Sequence, residues 1–209
     1  MKQPLILASA SPRRQELLRQ AGIMFEVDPA HIAEDQKPGE EPLAYALRLA
    51  EEKARAVAIR HPGRYVLGAD TIVVVDSEVL GKPLDQADAA RMLRKLSGRT
   101  HEVTTAVSLI SPSQILPGVI APSRASPSES GAPAKADTRS CTTRVFFRKI
   151  AEEEIQKYVA GGEPMDKAGA YAIQGGAAQW ADRMEGEYSN VVGLPLQLIA
   201  EMLRAGGLA

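Results

Sequence analysis

Short apolar runs and amphipathic stripes alternate along this chain. Residues 4–9, PLILAS, are apolar and end in small residues, which predicts a buried strand. Ser11 followed by Pro12 reads as a helix start, with serine as N-cap and proline in the first position. That helix is expected to reach Gly22 with Leu17, Leu18 and Ala21 on one face. Residues 24–28, MFEVD, alternate like a second strand, and 29–40 are polar and turn-rich. From Pro42 to Arg60, the residues Leu43, Ala46, Leu47, Ala50, Ala54 and Val57 recur at helical spacing. Residues 65–83 carry the clearest strand signal, β-branched and apolar, with a turn near Asp76 and Ser77. A helix over 84–98 and a strand over 100–111 follow, and 142–148 reads as a return strand pairing with the latter. A helix is expected over 151–162, then a strand and a helix within 186–207, the helix opened by Pro195 and closed by Gly206. Alternating strands and helices predict an α/β protein with a central mixed sheet.

Residues 111–141 interrupt this pattern. They are dense in Pro, Ser, Ala and Gly and hold too little apolar surface to offset the entropy of ordering. They read as a flexible insertion, and the whole chain, 1–209, as a single domain, because the return strand follows directly.

Composition narrows the function classes. Hydrophobic residues make up 44% and charged residues 24%, so a core and a polar surface are both expected. Formal net charge is −1, which leaves no electrostatic footprint for nucleic acid or an anionic membrane; any anion site must be local. One cysteine and three unclustered histidines exclude a disulfide framework and a cysteine-based zinc site. The first apolar run is too short for a secretory signal and no window approaches a membrane span, so a cytoplasmic protein is expected.

The chemistry begins at SASPRR. Arg13 and Arg14 fall in the first turn of a helix, where the dipole disfavours cations. Either both face solvent, or an anion sits there and the backbone N–H groups and guanidinium forks bind it together, with Ser9 adding a hydroxyl. In LGADTIVVV, Asp70 interrupts a run that should be buried, so its carboxylate must be paired, hydrogen-bonded or metal-bound. It can also take a proton from water. In a regular strand Thr71 faces the other way, and the two share a pocket only at a twist or a strand end. Lys53 in EEKARA and Lys82 in LGKPLD each read singly as surface residues. In DKAGAYAIQGGAA the small residues permit close backbone approach, and Gln174 offers a donor and an acceptor for a base edge; tight packing is the alternative. No P-loop, dinucleotide fingerprint or nucleophile elbow occurs.

Taken together, LASASPRRQELL, EEKARA, LGADTIVVV, GKP, MLRKLSGRTHEVTTAV, GEPMDKAGAYAIQGGAA and YSNVVGLP closely resemble the Maf family of nucleoside triphosphate pyrophosphatases, in order, from residue 5 to about 203. The resemblance implies a central mixed sheet flanked by helices, two lobes with a cleft between them, similar to the inosine triphosphate pyrophosphatases. It implies hydrolysis of a nucleoside triphosphate to monophosphate and pyrophosphate with a divalent metal cation, Mg²⁺ or Mn²⁺. It makes Asp70 the catalytic base and Arg13, Thr71 and Gln174 substrate-selecting, a set similar to the dTTP/UTP branch rather than the 7-methyl-GTP branch. Ser9, Arg13, Arg14, Lys53 and Lys82 are then expected around the phosphates, with Asp70 and Glu34 as metal ligands. The resemblance favours a homodimer. The alternatives are a nucleotide-binding regulator of septum formation without turnover, a 7-methyl-GTP pyrophosphatase, and a plain phosphatase or different nucleoside triphosphate hydrolase using the same anion pocket.

Overall fold

The computed structural model describes residues 3–112 and 135–208. One seven-stranded mixed sheet organises them, in the order β2-β1-β3-β5-β6-β7 with β4 paired to β3. The strands are β1 (Leu5–Leu7), β2 (Phe25–Val27), β3 (Val66–Val75), β4 (Glu78–Leu80), β5 (Thr100–Ile110), β6 (Ala136–Phe147) and β7 (Ala181–Glu185). β1 runs parallel to β2 and β3; all other pairs are antiparallel. The helices are α1 (Pro12–Gln20), α2 (Pro42–Ala58), α3 (Gln86–Leu96), α4 (Glu152–Ala160), α5 (Tyr188–Val192) and α6 (Leu196–Ala205). None of them is long and apolar enough to cross a membrane.

The period-two alternation of the strands sorts the core into two sides. Ile6, Val66 and Ile72 pack with Ala46, Ala50, Ala54 and Val57 of α2 on one face. Leu5, Leu7, Leu67, Val73 and Val75 pack with Leu17, Leu18, Leu93 and Ile199 on the other. The α2 stripe is made of alanines, so the helix backbone comes down close to β3. A Cβ placed on Gly68 would stand 2.3 Å from Ala50 O. Asp76 and Ser77 both take positive φ and close a two-residue hairpin between β3 and β4, at the turn the sequence marks.

Three expectations need correction. The return strand begins at Ala136, six residues before its expected start at 142, because residues 136–141 extend the ladder against β5 from Thr105↔Cys141 back to Ile110↔Ala136. The rest of that insertion, residues 113–134, lies outside the described residues. The strand expected after Gly186 is instead the short helix α5. The fully buried side chain of Asn190 bonds to β5 and β6 there, which overrides the strand propensity of the adjacent valines. The strand β7, with polar residues on both sides, and the 3₁₀ turns Glu163–Asp166, Ala168–Ala170 and Gly176–Trp180 carry no hydrophobic period and were not expected.

Candidate active site

The edge of β3 is open over a short stretch. β1 pairs with it only at Val66 and Leu67, and β4 only from Val73 onward. Between these lie Asp70 and Thr71, whose side chains point to opposite faces yet both border one cavity of about 900 Å³. The opening lies beyond the carboxyl end of β1, halfway along β3, and the carboxyl ends of parallel strands are where α/β sheets commonly bind ligands. The gap supplies the strand-end geometry that lets both residues share a pocket.

On the α2 face, Asp70 and Lys53 are both buried, and Lys53 Nζ donates to Asp70 Oδ1 at 2.7 Å. The same ammonium stands 2.9 Å from Glu34 Oε1, and Lys82 Nζ lies 3.8 Å from Glu34 Oε2. Partial burial opposes ionisation of Glu34. The hydrogen bond from Lys53 and the charges of Lys53, Lys82 and Arg14 overcome it and hold its carboxyl below the usual range. The loop carrying Glu34 is tied to α2: Tyr45 Oη donates to Glu34 O at 2.6 Å, and Arg48 Nη2 to Asp35 O at 3.0 Å.

On the other face, Arg14 turns back onto the protein. Nε donates to Gly193 O at 2.8 Å, Nη1 to Ala69 O at 2.9 Å and to Ser9 Oγ at 3.2 Å, and Nη2 to Thr71 Oγ1 at 3.0 Å. One guanidinium N–H remains out of five. Arg14 thus braces α1 against the open edge of β3, where the carbonyl of Ala69 has no strand partner. Its fifth N–H is what remains to meet a phosphate, the role expected of it from the sequence. Burial lowers its pKa, against the opposing pull of Asp70 and Glu34. Arg13, half-buried on the cavity wall, forms no ion pair or hydrogen bond with any described residue. Ser9 Oγ accepts from Ser11 N and Arg14, which leaves its proton to donate.

Ser9, Arg13, Arg14, Glu34, Lys53, Asp70, Thr71 and Lys82 therefore come together, whereas Gln174 does not. It is exposed in the turn after Ile173 and lies outside the cavity lining. Sequence reasoning missed Lys167, Tyr45 and Tyr171, which also line the wall. Lys167 lies in the small-residue segment already singled out, and its charge was the available signal. In all, the wall carries five lysine and arginine side chains against three acidic ones, a local surplus of positive charge in a chain whose total is −1.

Asp70 and Glu34 are the residues able to hold a metal. Their carboxylates converge on one ammonium, and a hard divalent cation that takes one or two carboxylates plus water and phosphate oxygens fits that donor set. No cluster of three or more such ligands occurs among the described residues, so the protein alone does not form a closed cage.

A family model described as Maf-like protein matches residues 4–206. The dTTP/UTP pyrophosphatase of Koribacter versatilis is 51% identical over 203 residues, covering 97% of this chain and 94% of that protein. The dTTP/UTP pyrophosphatase of Citrifermentans bemidjiense is also 51% identical over 203 residues, covering 97% and 95%. Among solved structures, the Staphylococcus aureus Ham1 protein aligns with a TM-score of 0.42 and 13% identity over 97% of this chain and 99% of that one. With its blocks in order along the chain, its Asp70 cavity and near full-length relatives at half identity, this chain belongs to the Maf family.

Proposed function

We propose that this protein hydrolyses dTTP and UTP to the monophosphate and pyrophosphate. The observation that carries the reading is a buried carboxylate, Asp70, held by Lys53 on the wall of a cavity with surplus positive charge. The names of the relatives supply the substrate class.

The residues divide the work by which of their groups are free. Arg13 and Lys82, with donors unused or weakly used, meet the phosphate chain, and Ser9 adds a hydroxyl. Lys53 fixes the rotamer of Asp70 through a charge-assisted bond and places positive charge beside the reacting phosphate. Asp70 orients a water and takes its proton. The water oxygen bonds to the α-phosphorus, the bond from that phosphorus to the bridging oxygen breaks, and pyrophosphate leaves with the electron pair. A divalent cation at Asp70 and Glu34 would supply charge neutralisation and a more acidic bound water.

Asp70→Asn is nearly isosteric and is expected to lower kcat by roughly 10²–10⁴-fold with an unchanged circular dichroism spectrum. A near wild-type rate refutes the assignment. Gln174 keeps a proposed part in base selection from outside the cavity wall. Gln174→Glu is expected to weaken UTP and dTTP relative to a guanine nucleotide, and an unchanged ranking removes it from the site.

A further inference from the structure

Behind Thr71 runs a chain of hydrogen bonds whose direction is set by backbone groups, which cannot reverse. Thr105 N–H donates to Asn190 Oδ1 at 3.1 Å, and Asn190 Nδ2 donates to Val103 O at 2.9 Å, so the amide has one possible orientation. Nδ2 also donates to Thr143 Oγ1 at 3.0 Å, and that hydroxyl passes its own proton to Glu187 O at 3.0 Å. The Thr105 hydroxyl donates to Asn190 O at 2.9 Å. Its single proton is then used, so Thr105 Oγ1 accepts from Thr71, 3.0 Å away. Arg14 Nη2, which has no acceptor capacity, donates to Thr71 Oγ1. The proton of Thr71 and one of its lone pairs are thereby committed. Toward the cavity it offers the other lone pair and nothing else.

We propose that Thr105 and Asn190, fully buried and outside the cavity lining, are positioning residues that make Thr71 an obligate acceptor, and that this polarity selects uracil or thymine over cytosine. Uracil and thymine present an imide N–H at ring position three, a donor that matches the lone pair. Cytosine presents a lone pair at the same position, so two acceptors would face each other with neither satisfied. Phosphate oxygens are acceptors too, so the lone pair of Thr71 does not suit the phosphate chain and is left for the base. This inference rests on the pyrimidine triphosphatase reading given above.

The test is kcat/KM for UTP and for CTP with the wild type, Thr105→Val and Thr105→Ser. Thr105→Val keeps the volume but removes the acceptor, freeing the Thr71 proton to rotate into the cavity. The preference for UTP over CTP is expected to fall about tenfold, the value of one hydrogen bond. Thr105→Ser retains the acceptor and is expected to retain the preference. Thr105→Ala, which leaves a small void but cannot overpack, is expected to repeat the loss even where the valine variant folds poorly. A preference unchanged in both Thr105→Val and Thr105→Ala, with the two substrates slowing in parallel, overturns the inference, since a merely structural role predicts that result. Equal cleavage of UTP and CTP by the wild type also overturns it. A wild type that cleaves neither UTP nor dTTP refutes the proposed function itself, and this inference with it.

Discussion

Substituting alanine for Gly68 tests whether the fold and the site depend on the same contact. Gly68 lies two residues before Asp70 on β3 and faces α2. A Cβ there would stand 2.3 Å from Ala50 O, 2.7 Å from Ala54 N and 2.9 Å from Ala54 Cβ. Two of these atoms are helix backbone, which cannot rotate away, and the third is a methyl stem with no alternative rotamer. Restoring ordinary contact near 3.4 Å requires α2 to move off the sheet by about 1 Å. Overpacking of this kind destabilises by about 1–3 kcal/mol. With a urea m-value of about 2 kcal/mol/M, a loss of 2 kcal/mol lowers the unfolding midpoint by about 1 M. The same displacement carries Lys53, which precedes Ala54, away from Asp70, whose oxygen it now meets at 2.7 Å. A misplacement of about 1 Å in a positioned group can reduce turnover by up to about 10²-fold. Urea denaturation and steady-state pyrophosphate release on Gly68→Ala measure the two effects. A variant that keeps both its midpoint and its kcat refutes the close approach of α2 and β3 and the dependence of the site on it.

Other consequences follow from the buried charges. Lys53→Met leaves the Asp70 carboxylate buried without its principal partner and is expected to destabilise by about 3–5 kcal/mol at neutral pH, read by chemical denaturation; a loss below about 1 kcal/mol contradicts the buried pair. His101 is buried, its Nε2 2.8 Å from Tyr171 Oη, and burial depresses its pKa from 6.5 to about 4. Between those values the unfolded chain binds a proton that the folded chain does not, so stability rises with pH. That contribution is complete above pH 6.5 and is lost as pH falls to about 4, a change of about 3 kcal/mol. Unfolding free energies measured across this range are expected to show the slope in the wild type and to lose it in His101→Gln. An equal slope in both proteins contradicts the neutral buried ring.

Much of the architecture was legible because the physics is local. The β-branched run of β3 and the alanine stripe of α2 each have one period and one buried side, and both elements lie where the pattern places them. The misread elements depend on distant partners. Tyr188–Val192 has strand-like composition, but the Asn190 amide finds its acceptors and donor only in β5 and β6, and that bonding fixes a helical turn. β7 is an edge strand with polar residues on both sides, so no alternation marks it. At the site, a carboxylate inside an apolar strand announced Asp70, since an unpaired one would not be buried. The bracing bonds of Arg14 were hidden for a comparable reason. Its position at a helix start suggests an anion, whereas its partners are carbonyl and hydroxyl oxygens contributed by β3, the segment after β1 and the segment after α5. A sequence read in windows does not show that the edge of β3 is open there. The exposure of Gln174 was equally hidden, because small residues around it fit a cavity wall as well as a surface turn.

The central claim is that water held at Asp70 attacks the α-phosphorus of a nucleotide in this cavity. Hydrolysis of UTP in isotopically labelled water, followed by mass spectrometry of the products, tests it most directly. The label is expected in UMP, with unlabelled pyrophosphate as the other product. Label in pyrophosphate, or release of UDP and orthophosphate, would place the attack on a different phosphorus and contradict the account.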